Sequence, residues 1–266
     1  MKLRTASLFL LILLYSFTGV TYLLVKGNPV KAQFMTTDKL GNCYTVLENN
    51  EVDKYNSAGV KEFNFSNKNL GKLKWVDATN PMKLLLFYQD FNQVVMLDNK
   101  LSLRTQFSLR ELDILQPLLI CTSVNDGIWV YDQEDFQLKR LDTDLKIMQE
   151  SGNIIQVTGV ALQPVQLVEA NGYLYLNNPK TGVLVFDLFG TFYKTIPIKN
   201  IVSFQILSDE MFYFKEKKVN TFHLKTLADI PYELPEPGDT TVQSVRVENQ
   251  KLFLLKPGAL NIYSRI

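Results

Sequence analysis

The sequence predicts an all-β fold assembled from one repeated unit, and three observations support this prediction. From Gln33 onward, almost no stretch shows the apolar periodicity of an amphipathic helix. Short runs rich in aromatic and β-branched residues occur instead, separated by turns of Asn, Asp, Gly and Lys, and these runs recur in a fixed order. Hydrophobic residues make up 46% of the chain and charged residues 21%, which excludes wholesale disorder and allows a sizeable core.

Each unit shows three strands in the same order. The first strands read CYTVLE, MKLLLFY, IWVYD, YLYLNN, EMFYFK and KLFLLK. The second strands read NEVDKYN, NQVVMLD, FQLKRLD, GVLVFD, KVNTFHL and ALNIYSRI. The third strands read VKEFNF, LSLRTQF, LKIMQE, TFYKTIPI and LADIPYEL, and the last unit lacks one. The turn after the second strand recurs about every 40 residues, at Asn56, Asp98, Asp142, Asp187 and Lys225.

A period near 40 residues with three or four strands per unit indicates the blades of a β-propeller. A fourth, innermost strand is predicted before five of the visible strand pairs, at Leu73–Asp77, Leu118–Thr122, Val165–Glu169, Ile201–Ile206 and Val242–Val247. The predicted fold is therefore a six-bladed β-propeller of four-stranded antiparallel blades. The blades are expected at roughly residues 33–68, 72–110, 116–151, 163–198, 200–234 and 241–266. Stacked blades would bury aromatic residues such as Tyr44 and Trp129 between them.

The last blade has no room for an outer strand before the chain stops at Ile266. An open ring would leave unpaired strand edges, which cost hydrogen bonds and invite aggregation. We therefore expect a strand from the N-terminal stretch, near Asn28–Phe34, to complete the final blade and close the ring.

Residues 1–32 read as a signal peptide that precedes the fold. Lys2 and Arg4 form a short positive region, and the run Leu8–Val25 then contains no charge. Val30-Lys31-Ala32 fits a signal-peptidase site, so cleavage is expected before Gln33. The alternative is an uncleaved membrane anchor, because the run reaches the lower limit for a spanning helix. Either interpretation predicts an exported protein, in the periplasm or associated with the outer membrane, or anchored to the inner membrane.

Composition excludes several classes of function. Lys and Arg number 28 against 27 Asp and Glu, so the broad positive field of a nucleic-acid-binding protein is missing. With one His and two Cys in the chain, zinc sites and Ser-His-Asp triads have almost no residues to use. Neither a metal site nor a cofactor is predicted. Cys43 and Cys121 lie in apolar, strand-like runs and are expected to be buried thiols, although export would permit a disulfide between them.

The blade sequences DGIWVYDQEDFQLKRLD and NGYLYLNNPKTGVLVFD carry a resemblance to a known group. Their pattern of a Gly or Asn turn, an aromatic strand, a turn and a strand ending in Asp resembles bacterial exported six-bladed propellers with NHL-like or YncE-like blades. The resemblance covers almost all of residues 33–266, and the family it suggests has no assigned activity. It implies binding of proteins, peptides or glycans at the central funnel. Some relatives are lactonases or lyases.

Catalytic residues are not predicted. The carboxylates near the inner strands stand at different offsets within the repeat, so convergence on one metal is not expected: Asp77, Asp90, Asp126 and Glu169. The residues with a shared offset occupy turns, where a carboxylate accepts hydrogen bonds from its own turn: Asp98, Asp142 and Asp187. His223 has no obvious catalytic partner and is expected to be packed or exposed.

Two loops are the candidate binding surface. One comprises Tyr88, Gln89, Asp90, Phe91 and Asn92, with Phe91 or Tyr88 expected to be exposed beside the amides. The other comprises residues 132–136 and contains Asp132, Gln133 and Phe136. Both loops join the same pair of strands in blades two and three, so they should lie on one side of the disc, where exposed aromatic and amide side chains typify contact patches. A plain turn after a buried strand is the simpler alternative.

The sequence thus predicts an exported, non-catalytic propeller that binds a protein partner of the cell envelope or acts as a scaffold. Nucleic acid is excluded as a partner, and the membrane would be contacted only through residues 8–25 if they are not cleaved. A metal-assisted hydrolase or lyase acting on a carbohydrate or lactone is the first alternative. A membrane-tethered periplasmic sensor domain is the second. Three or more carboxylates or amides clustered on the axis would favour the enzyme.

Overall fold

The computed structural model describes residues 21–266, which form 24 β-strands in six four-stranded antiparallel sheets. This confirms the predicted all-β, six-bladed propeller. The described part also contains one α-helix, α1 at Ile154–Thr158, and four single-turn 3₁₀ helices at Lys68–Leu70, Gln89–Phe91, Leu109–Leu112 and Val124–Asp126. Among the same residues, no helix is both long and apolar enough to cross a membrane.

Each blade runs from an innermost strand at the axis to an outermost strand at the edge of the disc. Blade one contains, in that order, β2 (Ala32–Thr37), β3 (Cys43–Leu47), β4 (Val52–Tyr55) and β5 (Lys61–Phe65). Blade two contains β6 (Leu73–Asp77), β7 (Leu84–Tyr88), β8 (Gln93–Leu97) and β9 (Leu103–Ser108). Blade three contains β10 (Pro117–Thr122), β11 (Ile128–Asp132), β12 (Gln137–Leu141) and β13 (Ile147–Glu150).

The second half of the ring repeats this order. Blade four contains β14 (Gln166–Ala170), β15 (Tyr173–Asn178), β16 (Gly182–Asp187) and β17 (Phe192–Ile196). Blade five contains β18 (Ser203–Leu207), β19 (Glu210–Lys215), β20 (Lys218–His223) and β21 (Asp229–Tyr232). Blade six contains β22 (Ser244–Glu248), β23 (Lys251–Lys256), β24 (Ala259–Arg265) and β1 (Tyr22–Pro29). The predicted innermost strands all coincide with, or strongly overlap, the observed ones.

Blade six is closed by the N-terminal strand, but that strand lies upstream of its predicted position. Tyr22–Pro29 pairs antiparallel with β24, from Tyr22 opposite Arg265 to Pro29 opposite Ala259. The predicted segment Asn28–Phe34 therefore spans two elements, the end of β1 and the start of β2. A turn separates the two elements. The backbone N–H of Val30 donates there to the Gly258 carbonyl, and the chain then passes from blade six to blade one.

The same observation bears on the predicted signal peptide. Residues 1–20 lie outside the described part, so most of the apolar run is not covered by the structure. Its last residues belong to β1, and Ala32 begins the innermost strand of blade one. Cleavage before Gln33 would therefore remove the strand that closes the ring, and the site of cleavage, if any, stays a prediction.

The hydrophobic core lies between blades. Six clusters of buried side chains occupy the six junctions, one for each pair of neighbouring blades. Trp129 and Tyr131 of blade three, for example, pack with Leu174 and Phe186 of blade four. Each large apolar side chain buried this way contributes about 2 kcal/mol, so no blade is stable without its neighbours. Cys43 and Cys121 are free, buried thiols, as expected.

The repeated turns follow one hydrogen-bonding scheme. Asp98 Oδ1 accepts from the backbone N–H groups two and four residues later, and Asp142 and Asp187 do the same in their blades. Asn56 fills the position in blade one. In blade five the acceptor is the Nδ1 atom of His223, with backbone N–H donors two and three residues later. The predicted turn role of the aspartates is confirmed, and the histidine shares it.

Removing β1 should open the ring. A chain that starts at Gln33 is expected to unfold at a temperature lower by at least about 10 °C than a matched chain that starts at Thr21. The shorter chain leaves the outer edge of β24 unpaired and uncovers part of the cluster between blades five and six. Calorimetric melting of the two purified chains measures the difference. Equal melting temperatures would show that β1 is dispensable for closure.

Candidate functional site

The six innermost strands line a central channel, and their C-terminal ends meet on one face. The last residues of β2 and β22 touch there, as do the last residues of β6 and β10. A cavity of about 190 Å³ opens at this face, and we call it the channel mouth. Its polar lining comes from Thr36, Thr37, Lys39, Asp77, Thr79, Gln166, Glu169, Gln205, Arg246 and Glu248.

Three carboxylates from three different blades line the channel mouth. They are Asp77 of blade two, Glu169 of blade four and Glu248 of blade six. Asp77 and Glu169 therefore share one cavity despite their different offsets within the repeat. The other two candidates lie elsewhere: Asp126 is in the turn after β10, near Lys83, and Asp90 is in the turn after β7.

Asp77 holds blade two against blade three. Its Oδ2 atom accepts from the backbone N–H of Thr122 at 2.7 Å and from the Thr122 hydroxyl at 3.0 Å. Its Oδ1 atom accepts from the backbone N–H of Thr79 at 2.8 Å. The carboxylate is buried, so these donors replace the water that it lost.

Glu169 plays the same part between blades four and three. Its Oε2 atom accepts from the Ser123 hydroxyl at 2.7 Å and from the Trp129 indole N–H at 2.8 Å. Its Oε1 atom accepts from the backbone N–H of Val124 at 2.9 Å. Arg140 supports the group by donating to Ser123 Oγ at 3.0 Å. Both carboxylate oxygens are thus engaged by neutral donors.

Two glutamine amides link the next pairs of blades. The Gln166 side chain donates to the Phe204 carbonyl at 2.8 Å and accepts from the Phe204 N–H at 3.0 Å. One blade further on, Gln205 donates to the Val247 carbonyl at 2.9 Å and accepts from the Val247 N–H at 3.2 Å. Each amide imitates a strand partner across a blade junction, where the inner strands themselves do not pair.

Glu248 completes the ring between blades six and one. Its Oε1 atom accepts from the Thr37 hydroxyl at 3.0 Å and from the Gln205 amide. Burial raises the pKa of Glu248 to about 7. The hydrogen bonds from Thr37 and Gln205 and the positive charge of Arg246 lower the pKa, but the effect of burial is larger. The group therefore changes its charge near neutral pH.

Arg246 differs from the other polar residues of the channel mouth. Its Nη1 atom donates to the Phe204 carbonyl at 3.3 Å. No carboxylate of residues 21–266 forms a salt bridge with Arg246. Burial lowers the pKa of its guanidinium. A guanidinium carries five N–H donors, so most of its capacity is unused by the described residues.

The described residues contain no group of three His, Cys, Asp or Glu side chains arranged to hold a metal ion. In the channel mouth this reflects the spacing of the carboxylates, each of which serves a different blade junction. The site as it stands offers hydrogen-bond donors and one cation.

An apolar rim partly surrounds the channel mouth. The turns that join the first and second strands lie on this face, and in four successive blades each carries an exposed apolar or aromatic side chain: Leu40, Met82, Val124 and Tyr173. Tyr173 stacks on Tyr193, with ring centroids 5.5 Å apart and an interplanar angle of 28°. The matching turns of blades five and six are polar, with Ser208-Asp209 and Asn249-Gln250.

The predicted loop of blade two is only partly exposed. Phe91 is 60% exposed, and Asp90 is exposed as well, with its carboxylate accepting from the backbone N–H of Lys72. Gln89 and Asn92 are half-buried, and Asn92 Nδ2 donates to the Leu115 carbonyl. Tyr88, which was expected to be exposed, is fully buried because it packs in the cluster between blades one and two.

The predicted loop of blade three is mostly structural. Asp132 is buried and pairs with Lys139 at 2.9 Å, so it cannot contact a partner directly. Phe136 packs on the cluster between blades three and four, whereas Gln133 is well exposed. Both predicted loops follow the second strand of their blades, so they do share one side of the disc. That side is opposite the channel mouth.

Sequence reasoning missed Gln166, Gln205, Arg246 and Glu248 as residues of one site. The signal was present, because polar side chains inside strands predicted to be innermost have no solvent to face except the channel. The polar members of the predicted segments Val165–Glu169 and Val242–Val247 include Gln166, Glu169 and Arg246.

A second concavity, of about 920 Å³, lies at the outer edge between blades five and six. Its walls include Tyr22, Tyr232 and the loop Leu234–Thr240, with the Tyr22 hydroxyl bonded to the Glu233 carbonyl at 2.9 Å. Thr21, the first described residue, also lines this concavity.

Glu248 should make the stability of the protein depend on pH. Its pKa is raised from 4.5 to about 7 in the folded state, so folding binds a proton and stability falls as pH rises through that window. The substitution Glu248→Gln keeps the acceptor for Thr37 and removes this cost, so its stabilising effect should grow by up to about 3 kcal/mol from pH 5 to pH 8. Urea unfolding of both proteins at each pH measures it. A difference that does not change with pH would contradict the raised pKa.

No protein-family model and no curated protein sequence matches the chain. Solved structures with the same architecture do. The WD40 domain of Neurospora crassa Pan2 aligns with a TM-score of 0.64 at 10% identity, covering 91% of this chain and 94% of that one. A catalytically inactive histidine-to-alanine form of virginiamycin B lyase from Staphylococcus aureus with quinupristin aligns with a TM-score of 0.61 at 11% identity, covering 93% and 99%. BamB from Moraxella catarrhalis aligns with a TM-score of 0.50 at 11% identity, covering 86% and 81%. At these identities the likeness shows the six-bladed propeller fold.

Proposed function

We propose that this protein is an exported, non-catalytic β-propeller that binds a protein partner in the cell envelope. The observation that carries the proposal is the state of the channel mouth: Asp77, Glu169 and two glutamine amides are occupied in joining blades, and a rim of exposed apolar side chains partly surrounds them. A site of this kind offers a fixed surface for recognition. Among the described residues, Glu248 is the carboxylate of the channel mouth that keeps an oxygen without a hydrogen bond.

The geometry of the acids supports a binding role over catalysis. A general acid or base must reach a substrate proton with a free lone pair or proton. Asp77 and Glu169 instead accept from donors on both oxygens, and each donor belongs to a neighbouring blade or turn. The inactive virginiamycin B lyase carries a histidine-to-alanine change. The single histidine of this chain, His223, is committed to a turn after β20, away from the channel.

The apolar rim supports a protein or peptide partner. Exposed aromatic and aliphatic side chains around a polar centre are the usual composition of a protein contact surface. Because the rim stands on short turns of a closed ring, it is held in place before binding, which lowers the entropy cost of association. The solved neighbours include both an enzyme and a WD40 domain, so the fold itself selects neither role.

The proposed export to the cell envelope rests on the N-terminal sequence, in which Lys2 and Arg4 precede an uncharged apolar run. We propose that any processing leaves β1 in the mature protein, because Tyr22–Pro29 forms the outer strand of blade six. If the apolar run is not cleaved, it would tether the propeller to the membrane. The protein would then bind its partner as a membrane-tethered sensor domain.

A metal-assisted hydrolase or lyase is the second candidate, favoured by the convergence of Asp77, Glu169 and Glu248 on one cavity. Carboxylates and amides near an axis are the ligands that hard divalent cations prefer. In this alternative the partners of the carboxylates would have to rearrange to admit a cation.

Partner capture should distinguish the two faces of the disc. The double substitution of Leu40 and Met82 to Ala removes exposed apolar side chains of the rim, and we expect it to reduce capture after mild crosslinking in membranes by at least fivefold. The matched control is Phe91→Ala, an equally exposed side chain on the opposite face. Capture that depends on Phe91 and not on the rim would assign the partner to the loops of blades two and three.

Divalent cations should not stabilise the protein. Because the carboxylates of the channel mouth are already occupied, millimolar Ca²⁺, Mg²⁺ or Mn²⁺ is expected to raise the melting temperature by less than about 1 °C. The same measurement on Glu169→Gln serves as the control. A larger rise in the unsubstituted protein that disappears in the variant would favour the metal-assisted enzyme.

A further inference from the structure

The channel mouth contains one cation whose hydrogen-bonding capacity the described residues leave mostly unused. Arg246 makes one hydrogen bond, to a carbonyl, and forms no salt bridge with any carboxylate of residues 21–266. Its side chain is half-buried and lines the cavity. A guanidinium has five N–H donors, so the remaining ones are available to a ligand there.

Most of the acceptors around Arg246 have partners. Asp77 and Glu169 are satisfied by Thr122, Ser123 and Trp129, and the Gln205 amide is held by Val247. Glu248 accepts through Oε1 only, and its pKa of about 7 leaves it partly protonated at neutral pH. The main unused capacity of the site is therefore that of the Arg246 donors and their positive charge. A ligand that completes it must bring acceptor oxygens and negative charge.

The charges of the cavity select a carboxylate over a phosphate. Arg246 is one cation among three acidic side chains, with Lys39 exposed at the edge. A doubly charged phosphate would meet strong repulsion there, whereas a carboxylate brings one charge and matches the planar guanidinium with two parallel hydrogen bonds. Burial raises the pKa of Glu248, so at neutral pH this side chain carries less negative charge than an exposed glutamate would.

The size and surroundings of the cavity indicate what bears the carboxylate. Its volume of about 190 Å³ accommodates a carboxylate group and about one side chain. The apolar rim at Leu40, Met82, Val124 and Tyr173 would lie along whatever extends outward. A polypeptide end with apolar side chains before the terminal carboxylate fits both features.

We propose that the channel mouth binds the C-terminal carboxylate of a peptide or protein segment with apolar terminal residues. Arg246 is the carboxylate-binding residue, and the apolar rim receives the preceding side chains. This inference rests on the proposed partner-binding function and names the chemistry that the channel mouth recognises.

The test compares a free acid with its amide. N-acetylated tripeptides ending in Leu or Phe are titrated into the full-length protein by calorimetry, each as the free acid and as the C-terminal amide. We expect the free acid to bind at least tenfold more tightly. Equal affinities, or no binding of either form, would overturn the proposal. Inorganic phosphate that displaces the acid at equal concentration would overturn the choice of carboxylate.

Variants locate the site. Arg246→Gln should weaken binding of the free acid at least tenfold and leave the amide unchanged, and Arg246→Lys should restore part of the loss. The matched control is Arg104→Gln, on the exposed outer strand β9. If Arg246→Gln does not fold, Met82→Ala removes an exposed side chain of the apolar rim and should weaken binding of the free acid about threefold. Equal weakening by Arg104→Gln would place the site elsewhere.

The two proposals fail in different ways. Capture of a partner that depends on Leu40 and Met82, together with equal affinities for acid and amide, would retain the partner-binding function and reject carboxylate recognition. Acid-selective peptide binding without a captured partner would retain the recognition chemistry and reject the envelope protein as its target.

Discussion

Every part of this molecule depends on the closure of the ring. Each four-stranded sheet has two apolar faces, and the six core clusters show that both are buried only against neighbouring blades. The last junction is made by β1 from the start of the described chain and β22–β24 from its end. The pairing of β1 with β24 therefore determines whether blade six, and with it the first and fifth blades, keeps its core.

At the axis the blades are joined by side chains, since the inner strands lie too far apart to pair. Asp77, Gln166, Glu169, Gln205 and Glu248 each bridge one junction between neighbouring blades. This structural use explains why an acidic, amide-rich channel need not be a catalytic centre. It also sets apart Arg246, which bridges with only one of its donors and is for that reason the group available to a ligand.

The sequence repeat made the fold predictable. The closing strand, the residues that share the channel mouth and the burial of single side chains could not be derived from the repeat. Alternating strands and turn acceptors such as Asp98 recur along the chain, so blade number and inner strands could be derived. The closing strand was misplaced because Tyr22–Val25 is as apolar as a leader, and composition cannot tell an edge strand from an export signal. The shared cavity of Asp77 and Glu169 was not predicted because Asp77 is the last residue of β6 and Glu169 the last but one of β14, so equal depth in the channel does not mean equal position in the repeat. Burial of Tyr88 depends on packing against blade one, which lies far away in sequence.

The meeting of the two ends of the described chain has a mechanical consequence. The backbone N–H of Ile266 bonds to the carbonyl of Thr21, and Tyr22 lies opposite Arg265. A pulling force applied at residue 21 would break the hydrogen bond to Ile266 first and then the pairs of β1 with β24 one after another. The other blades have no outer strand that begins or ends at a terminus of the described chain. Under tension the ring would part at one known seam, between β1 and β24, before any other sheet gave way.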